Sequence, residues 1–203
     1  PNVTWWDKAG AVVGYMNRSH FLLQQGTFVA DVCHYYGDHV PNIVQRKEAD
    51  PAGALPVFDY DVINEELLLS QLTVKDGGFS LPSGMTYRVL VLPDHAILSL
   101  DVLEKVRQLV MEGGTVLGPK PARTASLSGY PASEKAFLRV ADELWGKGEL
   151  PKTGERGTGK GRVVWGKSAR SFLLEDGIAP DCEWEGDAED YGFIHRRTEE
   201  ADI

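Results

Sequence analysis

Short runs of apolar, largely β-branched residues alternate along this chain with longer stretches whose apolar residues recur every three or four positions. No other feature constrains the fold as strongly, because repeated strand–helix–strand units close into a parallel sheet with right-handed crossovers. The clearest run is Arg88-Val89-Leu90-Val91-Leu92, stopped by Pro93-Asp94-His95. Its unbroken apolar stretch suits a strand buried on both faces. Further strands are expected over 28–33, 57–62, 115–117 and 162–166. Between them, Asn64, Ser99 and Ser168 are placed to cap helices over 65–72, 100–111 and 169–174, and another helix starts at Ser133. The expectation is an α/β domain of three αβα layers around a mainly parallel five-stranded sheet.

In strand order this domain is expected to be flavodoxin-like, with ligand-facing loops at the carboxyl ends of the strands. The flanks differ from it. In residues 5–25 the apolar positions Trp5, Ala9, Val12, Val13, Met16, Phe21 and Leu22 follow helical spacing, and Gly26 suits a C-cap. Residues 40–56 and 146–161 read as loops, the first punctuated by Pro41, Pro51, Gly53 and Pro56. Residues 175–190 hold eight acids and no base, while 147–170 carry seven bases; both read as solvated. Residues 191–197 read as a strand with no partner before Ile203. The divisions are therefore 1–27, a helical lead-in from a preceding domain; 28–180, the α/β domain; and 181–203, an acidic linker with the first strand of a following domain. A start at Pro1 without Met points to an excised or processed chain.

The charge balance narrows the partners. Thirty acids against 21 bases leave a net −9 with no basic block, which disfavours nucleic acid and anionic membrane surfaces. No apolar run approaches a membrane span, so the chain is expected to be soluble. Cys33 and Cys182 cannot by themselves form a disulfide framework or a zinc site.

Motifs for chemistry are thin. Residues 154–160 spell G-x-x-x-x-G-K, but Gly161 stands where a phosphate loop needs Ser or Thr, and the segment precedes a strand instead of following one. The strand 88–92 invites comparison with class I glutamine amidotransferases, yet the turns Pro93-Asp94-His95 and Gly118-Pro119-Lys120 lack a thiol nucleophile. Cys33 reads as core packing. No G-x-S-x-G occurs, and the loop His34-Tyr35-Tyr36-Gly37-Asp38 is wrong for a flavin phosphate. What remains at the expected carboxyl edge is a polar set: Tyr35, Tyr36, Asp38, His39, Asp59, Asp61, Asn64, Asp94 and His95. Such groups suit sugar hydroxyls, a hard cation such as calcium, a domain contact, or plain caps and turns.

The segments Tyr15-Met16-Asn17-Arg18-Ser19-His20-Phe21-Leu22-Leu23-Gln24-Gln25-Gly26, Tyr35-Tyr36-Gly37-Asp38, Phe58-Asp59-Tyr60-Asp61-Val62-Ile63-Asn64 and residues 87–93 and 191–203 resemble the α-L-rhamnosidase-type glycoside hydrolases of family 106. The resemblance spans nearly the whole chain. It implies a large multi-domain parent whose catalytic (β/α)₈ barrel ends near residue 25. An amidotransferase-like domain, similar to the trimerisation domain of some β-galactosidases, then follows, and a β-sandwich opens after 191. It also implies calcium-assisted, inverting hydrolysis of terminal α-L-rhamnose, which needs two carboxyl groups ~6.5–9.5 Å apart. With most of the barrel absent, no catalytic residue is carried over, and this fragment itself is expected to hold no cofactor. Glu65 and Glu66 follow the Asn64 motif; the resemblance allows them to approach a barrel in the parent, and the helix dipole alone also accounts for them as first-turn acids. The implied partners are the neighbouring domains of the parent chain, a rhamnose-containing saccharide and a second copy of the chain. The implied parent is periplasmic or secreted. The role expected is a non-catalytic domain that brace the barrel and lends loops to its rim; the alternatives are a free-standing carbohydrate-binding or oligomerisation module and a small independent hydrolase.

Overall fold

The computed structural model describes residues 3–40, 42, 57–183 and 192–203. A 3₁₀ turn (Trp6–Lys8) leads into α1 (Gly10–Leu23). The strand expected over 28–33 is two strands, β1 (Thr27–Phe28) and β2 (Val32–Tyr35). Asp31 lies between them; its carbonyl accepts from the amides of Arg88 and Val89, and its amide donates to the Asp59 carbonyl at 3.1 Å. Next come β3 (Tyr60–Ile63) and α2 (Glu65–Ser70), then a small antiparallel meander of β4 (Thr73–Lys75), β5 (Gly78–Ser80) and β6 (Thr86–Tyr87). The chain continues through β7 (Val89–Val91), β8 (Ile97–Leu98), α3 (Leu100–Glu112), β9 (Thr115–Leu117) and β10 (Arg123–Thr124). It closes with α4 (Ala132–Trp145), β11 (Gly154–Thr158), β12 (Gly161–Trp165), α5 (Ala169–Glu175) and β13 (Arg196–Arg197). Of the loop expected over 40–56, only Val40 and Asn42 are among the described residues.

The main sheet has six strands in the order β11-β12-β9-β7-β2-β3. β12, β9, β7, β2 and β3 are parallel, and β11 is an antiparallel edge. The sixth strand falls inside the stretch expected to be a loop over 146–161. Its sequence Gly-Glu-Arg-Gly-Thr has no apolar alternation because it is an exposed edge held by its hairpin with β12. Gly161 opens that hairpin's second strand against the end of α3, where a Cβ would collide with the carbonyls of Gly114 and Val110.

Alternation along the strands builds two cores. Cys33, Leu90, Val116 and Val163 face Leu68 and Leu72 at α2, Leu103, Val106 and Leu109 of α3, and Phe137 and Leu144 of α4. Val32, Val89, Leu117 and Val164 face the opposite way, onto Phe58 and onto Ala169, Phe172 and Leu173 of α5. Asn64, Ser99 and Ser168 cap their helices, accepting from the amides of Leu67, Val102 and Ser171.

At the amino end a helix forms where the spacing predicts one; at the other end one expectation fails. α1 has helical spacing but no buried residue; Val12, Tyr15 and Phe21 are 60%, 65% and 64% exposed. β13 has a partner in this chain: it pairs antiparallel with β1, Thr27 opposite Arg197 and Phe28 opposite Arg196. Arg196 reinforces the pairing by donating to the carbonyls of Gln25 and Gly26.

Candidate functional site

Chain order reverses between β2 and β7: β3 adds on one side of β2, whereas β7, β9 and β12 extend from the other. Open α/β sheets bind ligands beside such a reversal, at the carboxyl ends of the strands. Here that edge is a linked polar cluster. Tyr35, the last residue of β2, donates its hydroxyl to Asp38. The other oxygen of Asp38 accepts the Ser99 amide at 2.6 Å, so a carboxylate sits at the amino end of α3, where the helix dipole favours it. Ser99 Oγ in turn reaches Glu65 Oε1 at 3.4 Å. Burial, followed by the hydrogen bond and charge of Asp38, pushes the Tyr35 phenol up, so it stays a neutral donor.

His39 and His95 come from the loops after β2 and β7 and stack with centroids 4.3 Å apart and planes 9° from parallel. Nδ1 of His95 accepts from the Ile97 amide at 3.1 Å, which places the neutral ring's proton on Nε2. Tyr36 donates to the Asn42 carbonyl at 2.7 Å, and Asp94 is exposed beside the stack. The structure therefore gathers Tyr35, Tyr36, Asp38, His39, Asn64, Glu65, Asp94 and His95 along one edge.

Asp59 and Asp61 do not belong there. The strand begins at Tyr60, so Asp59 lies at its amino end, and Asp61 points from within it to accept the Tyr87 hydroxyl at 3.0 Å. Cys33 is fully buried, and that burial, with the charge of Asp61, pushes its thiol far above reactivity at neutral pH. Among the described residues no group of three or more His, Cys, Asp or Glu side chains comes together to hold a metal. The carboxylate of Asp38 is committed to Tyr35 and Ser99. Among the described residues, this edge does not bring together the six to eight oxygens that a calcium cage takes.

A second ionisable cluster at the opposite edge had no sequence signal. His195 is gripped through both ring nitrogens, Nδ1 by Asp181 and Nε2 by Asp202, each at 2.9 Å. Arg197 donates to the same oxygen of Asp202 at 2.7 Å. Burial acts to lower the His195 pKa, but the hydrogen bonds and charges of the two aspartates outweigh it and the net shift is upward. Asp31 lies nearby; burial first, then the charge of Asp181, raises its carboxyl to about 6. With both nitrogens occupied by carboxylates, His195 has no position from which to activate a nucleophile. Its contacts tie residues 195–202 to the segment that follows α5.

A family model described as α-L-rhamnosidase, glycoside hydrolase family 106, matches residues 1–203. The chain belongs to that family. A curated relative named "Putative beta-glucuronidase" from Formosa agariphila is 36% identical over 202 residues, covering 98% of this chain and 16% of the relative. The solved structure of a rhamnosidase from Novosphingobium sp. PP1Y superposes with a TM-score of 0.83 at 29% identity, covering 98% of this chain and 19% of that one. Family membership extends over both flanks and the whole α/β unit. The chain nevertheless spans less than a fifth of the length of either relative, the proportion of one domain in a larger glycosidase-like protein. Among the described residues no helix is long and apolar enough to cross a membrane.

Proposed function

We propose that this chain is a non-catalytic accessory domain of a larger α-L-rhamnosidase-like glycoside hydrolase, a flavodoxin-like scaffold that braces the catalytic barrel. The observation that carries this reading is α1. A fourteen-residue helix with no buried residue, exposing Val12, Val13, Tyr15, Met16, Phe21 and Leu22, has an apolar surface far beyond what a finished surface leaves open. Trp5, just before it, is 59% exposed. The length of the family relatives supplies a cover: more than four-fifths of each lies outside the matched segment. The pairing of β1 with β13 supports the same role, since it locks the segment leaving α1 to the end of the chain. Support for the scaffold comes from the parallel strands. Taken in chain order they lie second, first, third, fourth, fifth across the sheet, the order of flavodoxin.

The chemistry of the ionisable groups also favours a supporting part. The buried cysteine is un-ionised, His195 is saturated by carboxylates, and Asp38 is committed to two donors. The test is direct. The isolated 203-residue chain is expected to release no phenol from an aryl α-L-rhamnoside above the buffer rate, while the full-length parent does. Turnover by the isolated chain overturns the reading.

A further inference from the structure

Beside the reversal in strand order lies an open cavity of about 660 Å³, within the range of small-molecule sites. Asp38, His39, His95, Arg123, Tyr130 and Glu134 are among its walls, brought from the β2 loop, the β7 loop, β10 and the start of α4. Some of these groups are fixed. Asp38 is held by Tyr35 and Ser99, and His95 presents Nε2–H from a ring stacked on His39. Others are uncommitted. Nδ1 of His39 is buried with no hydrogen-bond partner among the described residues. The guanidinium of Arg123, the hydroxyl of Tyr130 and the carboxylate of Glu134 likewise make no hydrogen bond or ion pair among the described residues.

We propose that this cavity is a saccharide site that takes one pyranose unit. A guanidinium and a carboxylate are both fork-shaped, one donating and one accepting, so each can bridge neighbouring ring hydroxyls, which do both. Tyr130 and the imidazole pair add ring faces for the C–H side of a sugar. Other ligand classes fit worse. A phosphate or sulfate would meet the carboxylates of Asp38 and Glu134, a bare cation would meet Arg123, and an apolar ligand would strand all of these groups without partners. No residue of α1 lines the cavity, so the proposal stands apart from the bracing role and survives if that role fails.

The test is an NMR titration of the ¹⁵N-labelled 203-residue chain with methyl α-L-rhamnopyranoside and, separately, with glucuronic acid. The expected result is saturable amide shifts confined to residues 38–39, 95–97 and 123–134. A Kd of about 1–10 mM is expected for a single sugar in an open site. Arg123→Ala should weaken binding at least tenfold while leaving the urea midpoint unchanged, because its side chain has no partner to lose among the described residues. Tyr130→Ala is the second variant, should the first fail to fold. Binding of the rhamnoside alone, of the uronate alone, or of both supports the site and names the preferred sugar. Absence of saturable shifts with either sugar, shifts that map elsewhere, or full affinity in both variants overturns it.

Discussion

Replacing Asp31 by Asn should stabilise the fold at neutral pH although it deletes a charge. The Asp31 side chain is 13% exposed, and its nearest cation, Arg88 Nε, is 3.9 Å away. Burial and then Asp181 raise its pKa from 3.8 to about 6, against the opposing pull of Arg88, His195 and Arg197. A rise of about two units corresponds to about 2–3 kcal/mol. A folded-state pKa above the unfolded value means that the favourable contribution is complete below 3.8 and is lost as the pH climbs through about 6. Asn is the neutral isostere and leaves the main-chain bonds to Arg88, Val89 and Asp59 in place. The variant should therefore match the wild type within about 1 kcal/mol at pH 4 and exceed it by about 2–3 kcal/mol at pH 8. Urea unfolding followed by tryptophan fluorescence at the two pH values measures this. A variant less stable than wild type at pH 8, or an equal gain at both pH values, refutes the reasoning.

The other predictions concern separate parts of the fold. His195→Ala should cost about 1–2 kcal/mol at pH 6. That loss should shrink as the pH rises through the raised His195 pKa, because the ring's contribution is complete only below its unfolded value of 6.5; pH-dependent unfolding reads it. Leu103→Ala empties a fully buried position beneath the sheet and should cost about 2–5 kcal/mol in a urea melt. Ser99→Ala removes the cap accepting from Val102 and should cost about 1 kcal/mol. Gly161→Ala drives a Cβ into the main chain at Val110 and Gly114 and should cost about 1–3 kcal/mol or more, seen as a lowered thermal midpoint.

The interior was legible because burial writes itself into composition. Residues 89–92, 115–117 and 162–165 are apolar runs because both faces of their strands are covered. Asn64, Ser99 and Ser168 were legible because capping is local chemistry. β11 was not: an exposed edge strand of Gly, Glu, Arg and Thr needs only a hairpin partner, and nothing in its residues announces one. The candidate edge was legible where the strand ended as expected and failed where it did not. Asp59 and Asp61 group with Asp38 only if the strand runs over 57–62; it runs from Tyr60 to Ile63, which leaves Asp59 at its amino end and Asp61 within it. The contact of Arg196 with Gln25 and Gly26 joins residues about 170 positions apart, and Arg123 comes to line a cavity with His39 and His95 through the pairing of β10 with β8. Separations of that kind leave no periodicity to read.

The bracing role rests on α1 being covered in the whole protein and bare in this chain. Oxidative footprinting of Trp5, Trp6 and Met16 measures that cover, since the reaction follows exposure. Fast oxidation in the isolated chain, falling at least tenfold in the full-length parent, is the result predicted here. Equal rates in the two would contradict it.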